Sequence, residues 1–291
     1  MLRLTGKKRW AAALLGAAAV ILWCFFGSKY ALEVTNYVIK TPKLTAPIRI
    51  VHLTDLHNSQ FGEDNARLAA RVAKQRPDLI LLTGDMLNGD EPRTDIVQTL
   101  VEQMVKIAPV YASYGNHEKA NRNMFGTDIM MLYEQAGAVV LEREYEDIEV
   151  NGQTVRIGGI LGYCLSEEYL RTGEARMYEI TYLKEFQDTE WLKLLLCHYP
   201  LCWIEDDNLE AWDIDSIFAG HVHGGQMRLP FIGGAYGPDQ GLFPGQECGL
   251  YYSQDRERVM VLSRGLGSRG SVPRINNVPE IVVVDILPQI E

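Results

Sequence analysis

The stretch Ile48-Arg49-Ile50-Val51-His52-Leu53-Thr54-Asp55-Leu56-His57 decides how this chain folds. Ile48 to Leu53 is short, rich in β-branched residues and mostly apolar, so it reads as a buried strand. The metal-capable Asp55 and His57 stand just past its end. A helix with apolar spacing is expected from about Asp64 to Gln75, and Pro77 then precedes a second run, Leu79-Ile80-Leu81-Leu82, which ends at Thr83-Gly84-Asp85. The theme repeats. An amphipathic stretch from Thr94 to Ile107 leads to Val110-Tyr111-Ala112-Ser113-Tyr114, ending at Gly115-Asn116-His117-Glu118. A helix is expected around Asp128 to Ala136. A hairpin follows, its arms Ile148 to Val150 and Val155 to Ile157 joined through Asn151-Gly152. Trp191 to Cys197 ends at His198, and Ser216-Ile217-Phe218-Ala219 ends at Gly220-His221-Val222-His223. Two late runs, Val259 to Leu262 and Ile281 to Ile286, close the chain. Strand-helix alternation predicts an α/β layered fold, and the antiparallel-looking late pieces predict a second sheet on the first.

Five separate segments thus deliver polar residues to strand ends, and strand ends on one edge of an α/β sheet line a common crevice. Taken singly each has a bland explanation. An Asp after a strand is ordinarily a cap or turn residue, and Asn116 after Gly115 is ordinary turn chemistry. Five such placements together favour a site. His52, inside the first strand, reads as a core histidine. Carboxylates mixed with imidazoles suit Mn, Fe or Zn better than Ca, which prefers oxygen alone. Two such ions, bridged by a carboxylate, can clamp a phosphoryl group and activate a water.

These residues resemble the calcineurin-like metallophosphoesterase superfamily, whose five blocks occur here in order: Asp55-Leu56-His57, Gly84-Asp85, Gly115-Asn116-His117-Glu118, His198, and Gly220-His221-Val222-His223. The extension Gly224-Gly225-Gln226-Met227-Arg228-Leu229-Pro230, with Arg264-Gly265-Leu266-Gly267 and Asn277-Val278-Pro279-Glu280-Ile281, resembles its bacterial membrane-anchored, single-domain branch. The resemblance implies a four-layer α/β/β/α sandwich. It implies that Asp55, His57 and His223 hold a first metal, that Asp85 bridges, and that Asn116, His198 and His221 hold a second. His117 would protonate the leaving oxygen rather than bind metal. The second block ends in Asn88-Gly89 without the Asp-Arg-Gly of Ser/Thr protein phosphatases, which argues against that class. The resemblance assigns Glu118 no role.

The expected activity is hydrolysis of a phosphodiester or pyrophosphate on a lipid-linked or cell-envelope substrate. Two alternatives stand beside it: a UDP-2,3-diacylglucosamine-type pyrophosphate hydrolase of lipid A synthesis, and a non-catalytic scaffold of the same fold. Arg228, Arg264 and Arg269 are candidates to grip further phosphate oxygens, with surface salt bridges as the equal alternative for each.

Of 291 residues, 47% are hydrophobic, enough for a core of ordinary size and too many for a disordered chain. The net charge of −10 excludes a nucleic-acid backbone as the expected partner. Five cysteines without a C-x-x-C pair give neither a zinc ribbon nor a thioredoxin-like site. Residues 1–9 carry Arg3, Lys7, Lys8 and Arg9, and Trp10 to Phe26 is uncharged. That segment predicts a transmembrane helix, with the basic end cytoplasmic and the catalytic domain extracytoplasmic. Three units are therefore expected: an anchor at 1–28, a strand and connector at 29–47, and a catalytic domain at 48–291.

Overall fold

The computed structural model describes residues 6–162, 177–205, 208–267 and 273–289. Helix α1 (Gly6–Tyr30) leads into β1 (Glu33–Thr41) and β2 (Ile48–Leu53). Then come α2 (Ala66–Ala73), β3 (Leu79–Leu82), α3 (Asp95–Met104), β4 (Val110–Ala112), α4 (Asn116–Phe125), α5 (Ile129–Gln135) and β5 (Val139–Val140). The first sheet has the order β1, β16 (Glu280–Pro288), β2, β3, β4, β5. Strands β2 to β5 run parallel, while β16 is antiparallel to β2 and parallel to β1. Strand β1, within residues 29–47, is the edge strand of this sheet.

The second sheet contains β6 (Glu144–Val150), β7 (Gln153–Ile160), β8 (Leu192–Cys197), β9 (Ser216–Ala219), β14 (Gly249–Tyr252) and β15 (Val259–Leu262). Its order is β14-β15-β9-β8-β7-β6, with β15, β9, β8 and β7 mutually parallel. The expected hairpin forms as β6 and β7, and Asn151 and Gly152 both take the positive φ that a two-residue turn of this hand requires. Four two-residue strands lie between β9 and β14: β10 (Arg228–Leu229), β11 (Gly233–Gly234), β12 (Tyr236–Gly237) and β13 (Gly241–Leu242).

Side-chain alternation sorts the apolar residues into three seams. Leu192, Leu194 and Leu196 of β8 face Ile48, Ile50 and Leu81 of the first sheet. The intervening Leu195 and Cys197 face the outer helix Met177–Gln187 through Tyr182, Leu183 and Phe186. On the other side Val51, Leu53, Ile80 and Leu82 meet α2, α3 and α5 through Leu68, Val72, Val97, Leu100 and Tyr133. Helices, sheet, sheet and helices follow one another, as period-two strands buried on both faces demand.

The N-terminal expectation is corrected. Among the described residues no helix is long and apolar enough to cross a membrane. Residues Trp10 to Phe26 do form helix within α1, but 17 residues rise only about 26 Å, short of a hydrocarbon core of about 30 Å. The end of α1 is instead part of the folded body. Gly27 and Ser28 are buried, Asn277 N–H donates to Ser28 Oγ at 2.9 Å, and Asn276 N–H donates to the Cys24 carbonyl at 3.0 Å. Arg67 donates to the Tyr30 carbonyl.

Candidate metal centre

Strands β2, β3 and β4 of one sheet and β8 and β9 of the other each end beside a candidate ligand. At those ends the chain takes an uncommon backbone. Asp55, His57, Asp85, His221 and His223 all have φ between 49° and 72°, the left-handed region that costs a residue with a Cβ about 1–2 kcal/mol. Such strain persists only where surrounding contacts hold it, and it gathers at functional sites. Here the contacts are visible. Asp55 N–H donates to the Gly84 carbonyl and His57 N–H to the Asp85 carbonyl, both at 3.0 Å. Gly84 lies so close to Gly115 that a Cβ on either would strike the other strand end: Gly84 against Gly115 backbone, Gly115 against the Asp85 carboxylate.

The structure brings the predicted residues together. Asp55, His57 and His223 place one donor atom each within 4.8 Å of one another, as do Asp85, His198 and His221. The two triads touch where His57 Nε2 lies 3.8 Å from Asp85 Oδ2 and 3.9 Å from Asp55 Oδ1. His198 Nε2 approaches Asp85 Oδ2 to 3.3 Å, and His223 Nε2 lies 3.7 Å from Asp55 Oδ1. Asn116 opens α4 beside them. Arg269 lies outside the described residues, as does Cys164.

Hydrogen bonds on the far side of each ring fix which nitrogen is free. His198 Nδ1 donates to the Thr83 carbonyl at 2.7 Å, which turns Nε2 toward Asp85. His57 Nδ1 sits 3.2 Å from Asn88 Oδ1, and Asn88 in turn donates to the His57 carbonyl. His57 Nε2, His198 Nε2 and Asn116 Oδ1 are buried and have no hydrogen-bond partner. Buried polar atoms without partners are rare, and three converging in one place call for a ligand. Imidazole lone pairs, carboxylate oxygens and an amide oxygen form a donor set suited to divalent transition ions, so the residues fit the implied metals.

The electrostatics agree. Burial lowers the His57 pKa to about 4, against the pull of Asp85, and burial together with neighbouring His57 holds His223 well below its usual value. Both rings are therefore neutral, the form that binds cations. Burial raises Asp55 to about 7, opposed by His198. Burial also works against ionisation of Asp85, but His198, His57 and His117 outweigh it and keep this carboxyl below the usual range. His198 is raised to about 9 because the charge and contact of Asp85 exceed the cost of burial. A cation entering between them takes the place of that proton.

His117 also brings a ring nitrogen within 4.8 Å of donor atoms on His57 and Asp85, but its surroundings differ. Its Nδ1 accepts a hydrogen bond from Gly89 N–H at 2.9 Å, so the neutral ring must carry its proton on Nε2, 3.9 Å from Asp85 Oδ2. Its side chain is 26% exposed, open to an incoming molecule where the ligands are closed off.

Two residues support the site in ways the sequence did not disclose: Glu118, which had no role assigned, and Arg274. Glu118 is fully buried and accepts from Asp85 N–H and Met86 N–H at 2.8 Å, from Gly115 N–H at 2.9 Å, and from Tyr133 Oη–H at 3.2 Å. It sits in the first turn of α4 and fastens three strand-end amides at once. The signal was present: an acid three residues after the N-cap, here Gly115, is half of a capping box. Arg274 is buried and donates to the carbonyls of Gly267, Arg264, Gly265 and Asn277. It locks residues 264–267 over the first strand end, where Gly267 N–H meets the Asp55 carbonyl. Arg228 and Arg264, candidates for substrate phosphate, are engaged elsewhere. Arg228 binds Glu247 at 2.8 Å and the Gly224 carbonyl, and Arg264 binds Glu33 at 2.7 Å and buried Glu280 at 3.0 Å. For these two the salt-bridge alternative is what the structure shows.

Residues 48–225, which span all five strand ends, match the profile of the calcineurin-like phosphoesterase family. The chain belongs to that family. Two curated relatives resemble it over most of both lengths. Phosphodiesterase YaeI of Escherichia coli (strain K12) is 28% identical over 255 residues, 83% of each chain. An uncharacterized metallophosphoesterase of Bacillus subtilis (strain 168), YkuE, is 28% identical over 265 residues, covering 87% of this chain and 84% of that one. Among solved structures, a dimetal phosphatase from Danio rerio has 11% identity and a TM-score of 0.45, covering 75% of this chain and 87% of that one. Family membership together with the paired triads makes this chain a metal-dependent hydrolase of phosphoester bonds.

Proposed function

We propose that the protein hydrolyses a phosphodiester or pyrophosphate in a lipid-linked or cell-envelope substrate, using two divalent cations, with Mn, Fe and Zn as the candidates, and His117 as general acid. Asp55, His57 and His223 would hold one ion, Asn116, His198 and His221 the other, with Asp85 shared. Bound there, the ions would supply positive charge to the phosphoryl oxygens and lower the pKa of a water. The chain's own residues do the rest. The observation that carries the reading is the hydrogen bond from Gly89 N–H to His117 Nδ1. It turns the ring so that Nε2–H faces the space beside the shared carboxylate, where it can hydrogen-bond the leaving oxygen as that oxygen takes up its proton.

Monoesters and diesters alike expel an oxygen that takes up a proton, but a diester or pyrophosphate carries a second bulky group that must be given room beside the site. The hairpins seated on the His223–Gly225 turn supply an apolar surface for such a group: Phe231, Ile232, Leu242 and Phe243 are exposed there. The exposed apolar residues of α1, among them Leu14, Leu15 and Trp23, support contact with a membrane surface.

The test is a hydrolysis panel with purified protein: an aryl monoester, an aryl diester and a nucleotide-lipid pyrophosphate, each with Mn and with Zn. The diester or pyrophosphate should turn over fastest. A monoester preference would sink the assignment.

A further inference from the structure

Asp239 lies 14 residues beyond the family-matched segment and in none of its five blocks. Its carboxylate Oδ2 stands 2.7 Å from Nε2 of His221. The His221 ring is otherwise gripped by ring edges, with Tyr199 at 4.5 Å and His198 at 5.2 Å between centroids. With Nε2 committed to a carboxylate, the ring's proton sits on that nitrogen and Nδ1 is left as the lone-pair donor.

The loop that carries Asp239 is built onto the ligand segment. Ala235 N–H donates to the carbonyls of Gly225 and Met227, and a Cβ on Gly237 would come within 3.1 Å of Val222, the residue between the two ligand histidines. Across the loop Gln240 donates through Nε2 to the Gln246 carbonyl and accepts from Gln246 N–H. Asp239 itself takes the left-handed conformation, φ 61°. A carboxylate held this firmly against a metal-capable imidazole orients the ring and makes it a better donor.

We propose that Asp239 is a positioning residue for the cation at Asp85, His198 and His221: it sets the tautomer of His221 and tunes the affinity of that one site. The proposal rests on the two-cation reading above. It predicts unequal damage. Losing Asp239 should weaken one ion and spare the ion at Asp55, His57 and His223, because no hydrogen bond ties Asp239 to that triad among the described residues.

The experiment uses the metal-stripped full chain, wild type, Asp239→Asn and Asp239→Ala, titrated with Mn by calorimetry and with Co by visible absorption. Wild type should bind two ions. Both variants should keep one ion at its wild-type affinity and lose about 10- to 100-fold in the affinity of the other. The Co spectrum should change for that equivalent alone, and the metal-free melting temperature should stay at the wild-type value. Two ions bound by both variants with wild-type affinity and spectrum overturn the assignment. Equal weakening of both ions alongside a lowered metal-free melting temperature also overturns it, since Asp239 is then merely structural. A wild-type chain that takes up a single ion brings down the two-cation reading itself, a failure visible before any variant is compared.

Discussion

Replacing Glu118 by Gln keeps the shape of the side chain and removes one acceptor. Its two oxygens take four donors, one serving Asp85 N–H and Gly115 N–H, the other Met86 N–H and Tyr133 Oη–H. In Gln the amide oxygen serves the first pair, and the NH2 group then faces Met86 N–H, donor against donor. Tyr133 can rotate its hydroxyl to accept, but a backbone amide cannot. A hydrogen bond to a charged group contributes about 1.5–3 kcal/mol, and an unsatisfied buried N–H costs about 1–3 kcal/mol, so the substitution should cost about 3 kcal/mol. Burial, with the charge of Asp85, raises the Glu118 pKa, which the Gly115 and Asp85 amides oppose, so a neutral side chain recovers part of that desolvation and the figure is nearer a ceiling. For a chain of this size about 3 kcal/mol corresponds to a fall of about 5–10 °C in melting temperature. Urea unfolding of metal-free protein reads the cost directly, and Mn titration reads the displacement of Asp85. A variant within about 1 kcal/mol of wild type, with Mn affinity unchanged, would refute the claim that Glu118 fastens the strand ends.

His117→Ala should lower turnover by about 10²–10⁴-fold, the range for a positioned acid, while metal analysis shows the wild-type ion content; loss of metal would make His117 a ligand instead. His52 is fully buried against Thr83 and Phe218, and burial lowers its pKa to about 3 from the ordinary 6.5. The unfolded chain therefore takes up a proton below pH 6.5 that the folded chain refuses, and stability should fall from there toward pH 3 by up to about 1.4 kcal/mol per pH unit. In urea melts between pH 4.5 and 7, His52→Gln should flatten that slope by one proton's worth, and an unchanged slope would contradict the assignment. Gly84→Ala, at φ 88° and against the Gly115 backbone, should cost about 3 kcal/mol or more and abolish Mn binding in calorimetry; a normally stable, metal-binding variant would show that the strand ends need not approach so closely.

What the sequence disclosed and what it hid follow from range. A strand buried on both faces announces itself by composition, so β2, β3, β8 and β9 fall where Ile48 to Leu53, Leu79 to Leu82, Trp191 to Cys197 and Ser216 to Ala219 place them. The residues just past those ends are tied to them by one to four peptide units, and the candidate ligands were legible for that reason. Asn116-His117-Glu118 is placed in no helix by its pattern but opens α4, where Glu118 turns back onto Gly115 N–H as a cap. Asp239 stands 18 residues beyond His221, and the two-residue strands between them leave no periodicity to detect. Arg264 has its partners Glu33 and Glu280 at the far end of the chain and within β16, distances that no local pattern records. Helix α1 misled because a lack of charge over Trp10 to Phe26 says nothing of the contacts that Cys24 and Ser28 make with Asn276 and Asn277.

The place of β16 bears on how the protein comes to be made. Ile48 is partnered by Ile286 and His52 by Val282, so the strand that carries the first candidate ligand waits for a neighbour more than two hundred residues downstream. At about 5–20 residues per second, ribosomal synthesis leaves β2 with a bare margin for about 10–50 s. During that interval Ile48, Ile50 and Val51 face the cell without cover, and β1 has no bridge to the rest of its sheet. The growing chain is then a target for holdase chaperones and for pairing with its own siblings, and yield on overexpression should hinge on that delay more than on the stability of the finished molecule.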